Sequence, residues 1–180
     1  MIKIAIVDDN LFLQKTVQEK LSFFEDVEIK SKSLNGKELL QKLEKNSNLD
    51  LILMDIEMPE MNGVEATAEV KKRYPHIKIL MLTVFDNDEK IFKSIKAGAD
   101  GYLLKEINPQ ELYNSIKETL SGGAAMTPSI ALKTLKLLRE PQVFETEEEK
   151  EKITLTVREI QVLEQLSKGL KYDAIAENLI

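Results

Sequence analysis

Apolar residues in this chain fall into short continuous runs separated by longer amphipathic stretches. Residues 2–7 are nearly all apolar, and an apolar run this short reads as a buried strand. Asn10 then stands as a plausible N-cap for a helix whose apolar face is Leu13, Val17, Leu21 and Phe24. Residues 27–32 alternate Val27, Ile29 and Ser31 with charges, the pattern of a strand at a sheet edge. Leu39, Leu40 and Leu43 mark a second helix over 36–45. Leu51, Ile52, Leu53 and Met54 run straight into Asp55, and Pro59 turns the chain soon after. Gly63 to Tyr74 predicts a third helix stopped by Pro75, and 77–82 a fourth strand ending at Thr83. A helix over 87–97 follows, with Gly98 placed as its C′ residue. Gly101 to Leu104 is a fifth strand ending at Lys105, and Pro109 opens a fifth helix to about Ser121.

Strand and helix thus alternate five times in about 120 residues, which predicts an α/β fold with a parallel sheet covered on both faces. The doubly wound, flavodoxin-like order 2-1-3-4-5 fits best, because the least apolar strand, the second, then lies at an edge. That order puts the switch point between strands one and three, where Asp8, Asp9 and Asp55 would share a crevice. Gly122-Gly123 mark a joint, and Thr127-Pro128 read as N-cap and first residue of a helix through about Leu138. A Glu/Lys-rich stretch over 139–152 reads as a solvated linker. Thr156 and Glu159 form a capping box ahead of Ile160, Leu163 and Leu166, and a short helix over about 172–179 carries Ile175, Ala176 and Leu179. The expected domains are 1–121, a linker with one helix over 122–152, and a helical C-terminal segment over 153–180.

Composition narrows the class. With 43% hydrophobic and 31% charged residues the chain has material for a core and a wet surface. The absence of cysteine removes disulfides and thiolate zinc sites. The N-terminal apolar run is too short for a signal sequence and no run approaches membrane-span length, so a cytoplasmic protein with no membrane partner is expected. A net charge of −6 argues against non-specific nucleic-acid binding by the chain as given.

Three carboxylates at neighbouring strand ends repel one another unless a cation joins them, and hard oxygen ligands suit Mg²⁺. A carboxylate can also accept a phosphoryl group, given a divalent cation and fixed positive charge around the phosphoryl oxygens. Asp55 would be the acceptor, Lys105 the charge and Thr83 a hydroxyl donor to a phosphoryl oxygen. Each has an ordinary reading when taken alone. Asp8 and Asp9 could simply favour a helix start, Thr83 suits any strand, Lys105 could be a solvated lysine and Tyr102 a half-buried strand aromatic. Four strand ends each carrying a group that one reaction needs outweigh those readings together. The lone His76 follows Pro75 in an expected surface turn and receives no role.

Asp8-Asp9, Asp55 with Met58-Pro59 and Gly63, Thr83, the run Ala97 to Tyr102, and Lys105 resemble the receiver domain of two-component response regulators over about residues 1–121. The resemblance implies that a sensor histidine kinase phosphorylates Asp55 and that the receiver catalyses only its own phosphorylation and dephosphorylation. It implies a Mg²⁺ site of Asp9 directly, Asp8 mainly through water, Asp55, and the Glu57 backbone carbonyl. It makes Thr83 and Tyr102 a switch pair, the hydroxyl moving to the phosphate and the aromatic following inward, with Lys105 contacting the phosphate. Glu106 stands where many receivers have proline, as in the NarL/FixJ subfamily.

Leu155, Thr156, Arg158, Glu159, Val162, Leu163 and Gly169, followed by Ile175-Ala176, resemble the opening of a LuxR-type helix-turn-helix domain. Lys171-Tyr172 replace the capping residues usual there, and the family's recognition helix has no counterpart up to Ile180, which suggests a truncated regulator. Residues 141–180 hold five Lys/Arg against nine Asp/Glu, a net of −4. DNA binding is therefore expected only of a chain with the complete domain. The leading expectation is a phosphorylation-driven switch, read out through helix four, strand five and helix five by homodimerisation and promoter binding. One alternative is a receiver acting only through protein contacts. Another is a Mg²⁺-dependent hydrolase using Glu57, two residues after the nucleophile, as acid/base.

Overall fold

The computed structural model describes residues 1–139. The reading of 153–180 as a partial DNA-binding domain and the linker beyond Arg139 lie outside the described residues. The strands are β1 (Ile2–Val7), β2 (Val27–Ser33), β3 (Leu51–Met54), β4 (Lys78–Thr83) and β5 (Gly101–Leu104). The helices between and after them are α1 (Leu11–Leu21), α2 (Gly36–Lys45), α3 (Gly63–Arg73), α4 (Asp88–Lys96), α5 (Pro109–Leu120) and α6 (Pro128–Arg139). The sheet is parallel throughout in the order β2-β1-β3-β4-β5, as the pattern predicts.

Successive strand residues point to opposite faces, so each buried strand feeds two cores. Ile4, Ile6, Leu51, Leu53, Leu80, Leu82 and Leu103 pack with Val17 and Leu21 of α1 and Leu112 and Ile116 of α5. The alternate residues Ala5, Ile52, Met54, Ile79 and Met81 are equally buried, as are Leu39, Leu40 and Leu43 of α2 and Ala66 and Val70 of α3. β2 is only half-buried along most of its length, which its mixed sequence foretold. Phe24, expected on the α1 face, lies past the end of that helix and stacks on Tyr113 with ring centroids 4.1 Å apart.

Each of α1 to α5 begins at an asparagine whose side chain accepts backbone N–H groups of the first turn: Asn10, Asn35, Asn62, Asn87 and Asn108. Only Asn10 stood out in the sequence. In a βα unit the helix starts where the strand ends, so five N-terminal helix ends, each carrying partial positive charge, gather along one sheet edge.

Asp100 staples the opposite edge. Its carboxylate accepts Lys71 Nζ at 2.5 Å, Lys78 Nζ at 2.8 Å and the Ile79 N–H at 2.8 Å. Burial alone would raise its pKa, but these three donors together hold it below the ordinary 3.8. A depressed folded pKa stabilises above the unfolded value and is lost as pH falls through the folded one. Asp100→Asn is therefore expected to cost about 2 kcal/mol at neutral pH, since it weakens a part-buried charged cluster. Urea unfolding along a pH series should show the two proteins converging below the ordinary carboxylate pKa.

Beyond α5 the chain returns to the sheet. The Tyr102 N–H donates to the Ala125 carbonyl at 2.8 Å, and Met126 bridges Tyr102 in parallel, closing the free edge of β5. α6 then packs on α4, burying Ile130 and Leu137, while Lys133 reaches Asp86 Oδ2 at 2.8 Å. The face made by α4 and β5 thus carries a segment of the same chain. No helix among the described residues is long and apolar enough to cross a membrane.

Candidate functional site

Register alone brings the acidic residues together. Val7 of β1 is aligned with Met54 of β3, so Asp8 and Asp55 leave the sheet side by side, and the Asp55 N–H donates to the Val7 carbonyl at 2.8 Å. One carboxylate oxygen from each of Asp8, Asp9 and Asp55 falls within 4.8 Å of the others. Asp8 and Asp55 are buried and Asp9 is exposed. On the other side of β3, Thr83 pairs with Leu104, so Lys105 emerges one residue past that pair and its N–H donates to the Thr83 carbonyl at 2.9 Å. Its ammonium lies 2.6 Å from Asp8 Oδ2 and 2.8 Å from Asp55 Oδ2, with only 8% of the side chain exposed.

One ammonium does not balance three converging carboxylates. Burial pushes the Asp8 carboxyl above its ordinary pKa, against the pull of Lys105 and of the Asn10 N–H that donates to Asp8 Oδ1 at 3.0 Å. The Asp55 carboxylate takes the Ile56 N–H at 2.8 Å on Oδ1 and Lys105 on Oδ2. A buried, oxygen-only, electronegative cluster with an exposed third member fits a hard divalent cation that keeps water ligands.

Gly63 lets α3 start against this cluster. Its N–H donates to the Ile56 carbonyl at 2.7 Å, and a Cβ there would sit 1.8 Å from the Asp55 carbonyl oxygen.

Thr83 is wholly buried at the end of β4, and its Oγ1 takes a long contact of 3.4 Å from the Phe85 N–H. Tyr102 is wholly buried as well, its hydroxyl donating to the Phe85 carbonyl at 2.8 Å. Burial pushes its phenol pKa up strongly, and the Asp86 and Asp55 carboxylates add to this, so the hydroxyl stays a donor at any physiological pH. The aromatic thus lies inward in this structure. Glu57 is exposed, its carboxylate pairs with Lys90 of α4, and Lys90 also lies 3.2 Å from the Phe85 ring centroid.

Sequence reasoning missed Gln14. It is buried, and its amide donates to the Asp8 carbonyl at 2.6 Å and the Ser33 carbonyl at 2.9 Å, tying the ends of β1 and β2 together under the site. The signal was present: Gln14, Val17 and Leu21 form the buried stripe of α1, with Leu13 only half-buried beside it. A polar residue on such a stripe needs a partner.

A doubly wound sheet with acidic residues at the ends of β1 and β3, a hydroxyl at β4 and a lysine at β5 defines a phosphoreceiver. The family model for the response regulator receiver domain matches residues 4–117. The chain is 36% identical to the transcriptional regulatory protein LnrK of Bacillus subtilis, over 99% of this chain and 83% of that protein. Among solved structures it is similar to a LuxR-family two-component response regulator from Aurantimonas, with TM-score 0.70 and 25% identity over 77% of this chain and 98% of that one. It is also similar to a CheY-like receiver domain from Methanospirillum hungatei, with TM-score 0.62 and 35% identity over 67% of this chain and 94% of that one. The chain belongs to the two-component response regulators, a family in which phosphorylation and Mg²⁺ are general, and its relatives are transcriptional regulators.

Proposed function

We propose that Asp55 is the phosphoacceptor, charged from a phosphohistidine of a sensor histidine kinase, and that the phosphorylated chain drives a transcriptional output through a homodimer. The observation that carries this is the Asp8–Asp55–Lys105 cluster, in which two buried carboxylates share one buried ammonium beside an exposed Asp9. In the transfer, an Asp55 carboxylate oxygen bonds to phosphorus as the bond to the donor nitrogen breaks. Lys105 is near enough to follow the charge onto the phosphoryl oxygens, and the Thr83 hydroxyl serves as a donor to one of them. Asp8, Asp9, Asp55 and the Glu57 backbone carbonyl are the groups that would hold Mg²⁺. When bound, the ion supplies charge neutralisation between the acceptor and the incoming phosphoryl group.

The reading divides the chain into a receiver over 1–121, a linker with one helix over 122–152, and the start of a DNA-binding domain from 153. It places the protein in the cytoplasm, with promoter DNA as the partner of the transcriptional output, and gives it no reaction beyond its own phosphorylation and dephosphorylation. The route outward starts at Thr83. The next residues give Phe85, whose carbonyl holds Tyr102, and Asp86, which holds Lys133 of α6. Incubating the chain with Mg²⁺ and acetyl phosphate should add one phosphoryl group by intact mass, and EDTA should prevent the gain. An unchanged mass with Mg²⁺ present would refute the reading.

A further inference from the structure

Lys105 is held by more than its two carboxylates. Its N–H donates to the Thr83 carbonyl at 2.9 Å, and its own carbonyl accepts from the ammonium of Lys20, in the last turn of α1, at 3.1 Å. The same ammonium donates to the Ile107 carbonyl at 2.7 Å. Lys20 is half-buried, and no carboxylate lies within ion-pair distance of it among the described residues. A cation placed on two neutral carbonyls gains no charge neutralisation, so its effect is geometric: it fixes the turn leaving β5.

We propose that Lys20 is a positioning residue for phosphoryl transfer, pinning the backbone of Lys105 so that its ammonium stays aligned on the Asp55 carboxylate. The peptide groups on both sides of the Lys105 Cα are anchored, one by β4 and the other by Lys20. The root of a long, flexible side chain is thereby fixed, which matters because a lysine head is otherwise a mobile point charge. Loss of the Lys20 anchor leaves the Thr83 anchor and the fold, but lets the turn over Lys105 to Ile107 drift. The inference rests on the role given above to Lys105.

The test is the rate of phosphorylation of the full chain by acetyl phosphate in Mg²⁺. Lys20→Met is expected to slow it about tenfold, below the roughly hundredfold that a full ~1 Å misplacement can cost. The loss should fall on the maximal rate rather than on the half-saturating donor concentration. Lys20→Arg, which keeps charged donors, should stay near the parent rate. In a Lys105→Ala background, Lys20→Met should cause no further slowing. Lys20→Met at the parent rate, or the same slowing with and without Lys105, would overturn the proposal and leave Lys20 a simple staple of α1. If Lys105→Ala itself does not slow the reaction, the role of Lys105 fails and this inference fails with it. Should Lys20→Met not fold, as judged by urea unfolding, Lys20→Gln replaces it in the same comparisons.

Discussion

Asp55→Asn is expected to stay folded and to gain no phosphoryl group under conditions where the parent chain gains one. The amide matches the carboxylate in size, but its nitrogen and oxygen are poor nucleophiles, so the acceptor is lost while the shape is kept. Lys105 retains Asp8 at 2.6 Å, so its ammonium is not left unpaired by the change. Removing one of three converging negative charges also relieves repulsion, so stability should shift by no more than about 1 kcal/mol in either direction. Intact mass after incubation with acetyl phosphate and Mg²⁺, beside a urea unfolding curve, measures both quantities. An adduct of undiminished yield on Asp55→Asn would move the acceptor to Asp8 or Asp9.

The second large effect is structural. Gly63→Ala should cost about 3 kcal/mol, at the upper end for overpacking, because the contact is with backbone that cannot rotate away. The new methyl would fall 1.8 Å from the Asp55 carbonyl oxygen and near the Ile56 Cα, on the segment that carries the proposed acceptor. Relief requires α3 to back away from the loop after β3, which breaks the 2.7 Å bond from the Gly63 N–H to the Ile56 carbonyl. The urea midpoint should fall with the m-value unchanged, and phosphorylation should slow in the molecules that remain folded. A midpoint equal to that of the parent would mean that this close approach is not needed for folding.

The strands were plain in the sequence because a sheet covered on both faces demands continuous apolar runs, and such runs have few other uses in a chain of this composition. The chemistry-bearing residues were plain for a related reason: Asp8, Asp55, Thr83 and Lys105 each stand at the end of such a run, and strand order then determines which ends are neighbours. Other functional contacts left weaker marks. Gln14 was overshadowed by Leu13 because both fit a helical face within the width of an apolar stripe. Lys20 carried no signal, since a lysine in a last helical turn is ordinary, and its carbonyl partners lie 85 and 87 residues away. The return of Ala125 and Met126 to β5 was equally hidden, because Gly122-Gly123 announce a turn without saying where the chain goes next.

By itself, then, the sequence determined the alternation of strand and helix, the parallel sheet with β2 outside, and the set of acidic, hydroxyl and lysine side chains gathered at the strand ends. Local pattern and strand-end placement carry that information, as each residue is read against neighbours a few positions away. Only the tertiary structure decided that one lysine bridges Asp8 and Asp55, that Tyr102 lies inward against the Phe85 carbonyl, that α6 packs on α4, and that Lys20 holds the turn behind Lys105. Those are contacts of side chains and turns between elements far apart in the chain, settled by packing and by where unpaired donors and acceptors could find partners.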